Sequence, residues 1–417
     1  MKACIIVPPS EFLDDDKVFP ALGPWYIKRY VEENSIHQVD VLTNPPFTHL
    51  ERYDVVGFSV TTPQYNYVDR VLKDLPTGMT TVLGGPHCRT YTVEPGTFTY
   101  VIREDGCKPF LNILNGKEPG KESDDNDQLP HRDMTYHEYK YVLDGRKSTN
   151  VITSRGCPLL CSFCEHARTP GRFKSKNAVA KEIQECKDLG FEGVMFFDDL
   201  FCLNTPRVRD MCEVIKPLDI KFRCFAHALS FNREMAELLA GAGCVEIGFG
   251  AEHASQKILD NVNKKTKAIQ NYQLIERAHE FGLRVKAFLM IGLPGEDHET
   301  VKELEQFVLT SQVDDFDLCV YYPFVGTEIA DYPEKFDIQI KDDQSGAYYK
   351  GKLGSSSVIV RTEALSSEEI KYWQKRIYSH NKRWKGEMKS TLGIKIVDDP
   401  SAADVCSSSN VNGVQAI

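Results

Sequence analysis

Short apolar runs alternate with amphipathic segments along most of the chain, and these two periods set the expected elements. In the first third, apolar blocks at Cys4–Val7, Val39–Leu42, Val55–Ser59, Thr81–Leu83 and Tyr100–Arg103 predict strands. Helical periodicity near Leu22–Glu33 and Tyr65–Leu75 separates some of them. Strands interleaved with helices read as a parallel sheet flanked by helices, a doubly wound α/β unit over residues 1–116. Ligands of such sheets sit at the carboxyl ends of the strands.

A polar, acidic stretch at Asn115–Gln128 breaks the pattern and predicts a linker across residues 117–149. A second alternating series starts at Val151. Its expected strands are Val151–Ser154, Val194–Phe197, Lys221–Phe225, Val245–Phe249, Val285–Ile291 and Phe316–Tyr322. Helices are expected at Ala178–Leu189, Arg207–Ile215, Arg233–Ala242 and Ile269–Phe281. The β/α units of residues 150–330 are too few for a closed barrel, so the fold class is a Rossmann-like unit followed by a partial (β/α)6 TIM-like barrel. A helix at Ser367–Lys385 belongs to a small helical C-terminal region, 331–395, expected as a cap able to close over the barrel mouth. The small polar residues of 396–417 predict a disordered tail.

Composition narrows the function classes. A net charge of −10 offers no polyanion-binding surface, which disfavours a nucleic-acid partner. The first residues run straight into Pro8 and Pro9 without the pattern of a signal peptide, and no apolar run is long enough to span a bilayer. The 13 cysteines are dispersed rather than packed into a small secreted scaffold, so a cytoplasmic location is expected. There, clustered thiols indicate metal or cluster chemistry.

Cys157, Cys161 and Cys164 form such a cluster, spaced C-x3-C-x2-C after an expected strand. Structural zinc takes four ligands, usually from paired knuckles, and the next cysteine, Cys186, falls inside an expected helix. Zinc completed by a distant cysteine and a purely structural buried trio remain alternatives. An iron–sulfur cluster held by three thiolates would have one iron open to a further ligand.

This motif, with Phe163 just before its last cysteine, resembles the radical S-adenosylmethionine (SAM) superfamily. The resemblance implies a [4Fe–4S] cluster on Cys157, Cys161 and Cys164, with Phe163 in the shell over it. SAM would chelate the open iron and be cleaved reductively to a 5′-deoxyadenosyl radical. Further segments resemble the family in order. Asp198 and Asp199 stand where acidic groups hold the SAM ammonium, although such a pair also suits a helix N-cap. Gly248-Phe-Gly-Ala-Glu252 is similar to a Gly-x-Glu-Ser segment near the SAM ribose or carboxylate, with His253 in place of the serine. Gly292, Pro294 and Gly295 lie in a Gly-x-Pro-Gly-Glu turn that backs the adenine; alone they read as a tight turn before a helix. Tyr321-Tyr-Pro-Phe-Val-Gly-Thr327 resembles the family's sixth-strand end.

The N-terminal unit resembles the cobalamin-binding domain fused to one class of these enzymes, through Val18–Tyr26, Asp54–Ser59, Val82–His87 and Val101–Gly106. The likeness implies hydroxyls from Ser59, Thr61 and Thr62 toward the nucleotide tail, close backbone approach at Gly84 and Gly85, and His87 as a pocket-lining residue. No histidine sits in an Asp-x-His-x-x-Gly pattern, so no protein ligand to cobalt is expected; the same absence fits a scaffold that no longer binds cobalamin. Arg103 departs from the glycine usual at its place. The implied activity is cobalamin-dependent methyl transfer to an unactivated carbon. The alternatives are a radical SAM rearrangement or dehydrogenation and, from another class, an iron–sulfur or zinc sensor. An external one-electron reductant such as flavodoxin or ferredoxin follows from the resemblance. The substrate, a small molecule or peptide, is not named by the sequence, but Arg223, Cys224 and His227 are expected in the barrel interior facing it.

Overall fold

The computed structural model describes residues 1–10, 16–341 and 358–381. Its first sheet contains β1 (Lys2–Ile6), β2 (Gln38–Leu42), β3 (Val55–Ser59), β4 (Thr80–Gly84) and β5 (Tyr100–Val101), ordered β2-β1-β3-β4-β5 and parallel throughout. The chain reverses direction between β1 and β3, the switch point where ligands of doubly wound sheets bind. The fifth strand is shorter than expected. Arg103 leaves the ladder, and its guanidinium donates to the Tyr91 carbonyl at 3.1 Å and to the Cys88 carbonyl at 2.5 Å.

Residues 117–149 do not behave as a loose linker. Arg132 is buried there against Glu182 (2.6 Å), and Tyr136 is 1% exposed. The segment ends in β6 (Val142–Leu143), antiparallel to β7 (Arg146–Val151).

The expected first barrel strand, Val151–Ser154, is displaced toward the N-terminus. The barrel strand is β7, whose Ser148, Thr149 and Asn150 are buried but polar, so they gave no apolar run. After Val151 the chain leaves the sheet, and β8 (Ser154–Arg155) forms a short antiparallel ribbon with β9 (Arg172–Phe173). The barrel continues with β10 (Gly193–Phe196), β11 (Lys221–Ala226), β12 (Cys244–Glu252), β13 (Arg284–Ile291) and β14 (Asp315–Val320). The sheet order β14-β13-β12-β11-β10-β7-β6 is that of an unclosed half-barrel. Side chains from Ser175, Asn204, Asn232 and Asp297 cap the helices that follow these strands or the ribbon, each accepting a backbone N–H. Neither Asp198 nor Asp199 caps a helix.

Strand alternation separates the two faces. Along β11, Phe222, Cys224 and Ala226 are buried, while Lys221, Arg223 and Phe225 alternate with them. Arg223 pairs with Glu246 across the strands (2.9 Å). Cys224 lies instead on the opposite face, fully buried, with its Sγ 4.0 Å from that of Cys202. This removes it from the expected substrate-facing set.

The C-terminal helix spans Ser367–Tyr378, and the expected continuation to Lys385 lies outside the described residues, as does the expected tail. With β15 (Ile338–Ile340) and β16 (Val360–Thr362), this region packs beside the barrel. Rather than closing over the mouth, the helix covers the free edge of β14. The Tyr378 hydroxyl accepts from Leu318 N, Gln374 donates to the Leu318 carbonyl, and Asn381 donates to the Phe316 carbonyl. Unpaired groups on an edge strand are thereby satisfied.

Candidate active site at the mouth of the half-barrel

The three cysteines lie on the loop between β8 and β9, and that loop is braced from several directions. Gly156 has φ +90°, and a Cβ there would stand 2.3 Å from the Pro170 carbonyl oxygen, so only glycine fits. Its N–H donates to Asp199 (2.6 Å), and the other Asp199 oxygen stands 3.6 Å from His166 Nδ1. Cys157 N donates to the Thr169 hydroxyl at 2.9 Å, and Thr169 N donates back to the Cys157 carbonyl. Ser162 N donates to Val262 O, Asn263 donates to Leu160 O, and Glu328 holds both Ser162 and Arg168.

Asp198 takes part in this bracing. Its Oδ1 accepts Thr153 N (2.6 Å), and its Oδ2 accepts the Thr153 and Ser154 hydroxyls (2.5 and 2.7 Å) and Arg207 (3.2 Å). Asp198 therefore fixes the entry to the cysteine loop.

The thiols suit a cluster better than a single ion. Burial raises all three above the ordinary thiol range, Cys164 to about 12, and Cys161 and Cys164 are pushed further by the neighbouring thiols. Three thiols in mutual electrostatic reach are costly as thiolates unless metal compensates them. Among the described residues no three His, Cys, Asp or Glu side chains converge on one ion position. In a [4Fe–4S] cluster each thiolate binds a different iron, so the sulfurs need not converge. Phe163 is half-buried against the barrel core beside them.

Around this loop, Glu252 lies at the end of β12 in the left-handed region (φ +60°) and pairs with Lys264 at 2.7 Å. Lys264 is almost completely buried. Burial works against its charge, but Glu252 and the nearby Cys161 outweigh that and raise its pKa. In the following turn Gly292 and Gly295 have φ of +87° and +80°, and Asn261 donates to the Pro294 carbonyl. Glu296 folds back to accept Gly292 N (2.7 Å) and Leu293 N (3.0 Å), and burial raises its pKa to about 8. His253, which stands in place of the expected serine, is fully buried. Its Nδ1 accepts Ser255 N, so Nε2 carries the proton and stands 3.7 Å from Glu296.

His227 ends β11 in the same arrangement. Nδ1 accepts Leu229 N, leaving a buried Nε2–H without a partner. Below it, the concave face carries Phe19, Phe197, Phe225 and Phe288 in a chain of ring contacts of 5.6–6.1 Å, with Phe197 46% exposed.

At the carboxyl edge of the first sheet lies an open cleft. Its walls include Ile5, Gly23, Ser59, Gly84, Gly85 and Arg155. Gly85 has φ +96°, and a Cβ there would stand 2.5 Å from Val60 N. Glycines in the wall bring backbone to the surface of the cleft, as close approach of a ligand requires. Of the remaining expected contacts, Thr61 bonds Gln64, and Thr62 bonds His87 at 3.3 Å. His87 stacks between Tyr65 and Tyr91, and burial lowers its pKa to about 4. None of these three is among the residues lining the cleft. The cleft abuts the cysteine loop, for Asp105 holds both Arg172 and Arg155, and Arg155 lies over the Tyr26 ring.

Sequence reasoning missed Lys264, Arg207, Thr169 and Glu328. Lys264 sits in Asn263-Lys-Lys265, which reads as a solvated charged turn; the others carry no pattern of their own.

The radical SAM superfamily model matches residues 151–308. An uncharacterized methyltransferase of Pyrococcus horikoshii is 27% identical, over 80% of this chain and 83% of that protein. Bacteriochlorophyllide d C-8(2)-methyltransferase of Chlorobaculum tepidum is 23% identical, over 82% and 80% respectively. The fold resembles the radical S-adenosylmethionine methyltransferase TsrM from Kitasatospora setae, solved with cobalamin and a [4Fe–4S] cluster bound. The TM-score is 0.64 at 16% identity, covering 89% of this chain and 84% of that one. No helix among the described residues is long and apolar enough to cross a membrane. The cysteine loop and strands β10–β13 all lie within the segment that the radical SAM superfamily model matches.

Proposed function

We propose that the chain is a cobalamin-dependent radical SAM methyltransferase acting on an unactivated carbon. The observation that carries this reading is the cleft's wall: Arg155, two residues before Cys157, lines it, so a group on the first sheet faces the cysteine loop. The methyltransferase relatives and the cobalamin-bound TsrM fold support it. Residues 1–116 would carry the corrin, with Ser59, Gly84 and Gly85 at its edge. Residues 150–330 would carry the radical chemistry, with Cys157, Cys161 and Cys164 on the cluster. Glu252, His227 and the Gly292–Gly295 turn would border SAM. When bound, these groups supply an electron, a hydrogen-abstracting radical and a transferable methyl group. Asp198, Asp199 and Arg207 hold the loop in register, and Phe197 and Phe225 present an apolar surface to the substrate. The electron would come from a flavodoxin- or ferredoxin-type donor in the cytoplasm.

The test is anaerobic reconstitution with iron, sulfide and hydroxocobalamin, followed by reductant and SAM. Retained corrin absorbance together with 5′-deoxyadenosine formation is the expected outcome. A full cluster with no SAM cleavage would sink the radical reading, and cleavage without retained corrin would leave an enzyme that does not use cobalamin.

A further inference from the structure

Lys264 is a buried ammonium set against the cysteine loop. The turn that carries it is latched onto that loop by Ser162 N donating to Val262 O (3.0 Å) and by Asn263 Nδ2 donating to Leu160 O (2.8 Å). Both neighbours, Asn263 and Lys265, are held at left-handed φ of 54° and 63°. Strained backbone of this kind persists where surrounding structure over-determines it, and it concentrates at functional sites. The result turns a lysine inward that would otherwise be solvated. A Cβ on Gly250 would stand 3.0 Å from its Nζ, so β12 leaves room for the ammonium.

Lys264 pairs with Glu252 at 2.7 Å. Val262 and Asn263, the residues just before it, hold Ser162 and Leu160, which flank Cys161. A buried charge works through a low dielectric and is screened little by salt. Reducing a [4Fe–4S] cluster adds one electron, taken from the external donor, and so adds one negative charge beside that ammonium.

We propose that Lys264 is a positioning residue for charge: it makes the reduced cluster more accessible to a biological reductant. The inference rests on the cluster assignment above.

The experiment is a redox titration of the reconstituted full chain, without SAM, followed by the electron paramagnetic resonance of the reduced cluster. Lys264→Met is expected to shift the one-electron reduction equilibrium about tenfold toward the oxidised form, a midpoint ~59 mV more negative. Lys264→Arg should keep the wild-type midpoint. Glu252→Gln, which retains the ammonium and removes its counter-charge, should move the midpoint the other way. An unchanged midpoint in Lys264→Met at full iron and sulfide content overturns the proposal. If Lys264→Met does not hold its cluster, an unchanged or more negative midpoint in Glu252→Gln overturns it instead. A wild-type chain that binds no cluster would refute the assignment beneath it, a separate outcome.

Discussion

The two parallel sheets solve opposite problems with the same topology. The first opens a cleft at its carboxyl edge, with Gly23, Gly57, Gly84, Gly85 and Gly106 among its walls. The second fills its mouth with buried ionisable groups: Asp198 with Arg207, Glu252 with Lys264, and Glu296 over its own turn. A large ligand is admitted by removing side chains, whereas a reactive centre is held by cross-bracing a loop. The first strategy tolerates little added volume and the second little lost charge, so substitutions should separate the two.

The largest effect is expected from Cys161→Ala. It should abolish the brown iron–sulfur chromophore and 5′-deoxyadenosine formation while corrin retention persists; absorbance and product assay read both. Next, Asp198→Ala leaves Arg207 and Thr153 without their buried partner. Breaking a buried pair costs about 3–5 kcal/mol, to be read by denaturant unfolding, and cluster content should fall with it. At the other sheet, Gly85→Ala forces a Cβ into Val60 at positive φ, a strain of about 1–3 kcal/mol. Hydroxocobalamin retention should drop about tenfold or more while iron content stays at the wild-type level, since 1.4 kcal/mol is tenfold in affinity. Loss of iron as well would mean the two sheets are not separable.

The smallest effect is a pH dependence confined to the charged mouth. Burial raises Glu296 from 4.5 to about 8, so the folded chain holds a proton that the unfolded chain releases. The stability this confers is present below pH 4.5 and is lost as pH rises toward 8. His253 is lowered from 6.5 to about 3 by burial, and its contribution is lost as pH falls through that window. Melting temperature against pH should therefore decline less between pH 5 and 8 in Glu296→Gln than in the wild type. Parallel curves would show that Glu296 is ionised in the fold.

Apolar strands were legible because their burial demands it. Val55–Ser59 matches its expectation, and Val285–Ile291 falls inside the strand observed at Arg284–Ile291. The polar β7 was not, because its burial rests on hydrogen bonds, one of them to a distant partner: the Ser148 hydroxyl donates to the Arg146 carbonyl and Asn150 Nδ2 to the Pro20 carbonyl. The cysteines were legible by spacing, and the structure sets them on one braced loop. The roles of the two aspartates were not, because the bracing by Asp198 depends on Thr153, Ser154 and Arg207 arriving together. Likewise, the faces of β11 follow from alternation, but which face Cys224 takes depends on its packing against Cys202.

The helix along β14 has a consequence for the size of molecule the enzyme can admit. An unclosed barrel has two rims, and here one is dressed by the side chains of Tyr378, Gln374 and Asn381 while the other ends in the β6 hairpin. The aperture is thus framed by attachments rather than by strand number. Its width can be altered by changing those attachments without adding or removing a strand.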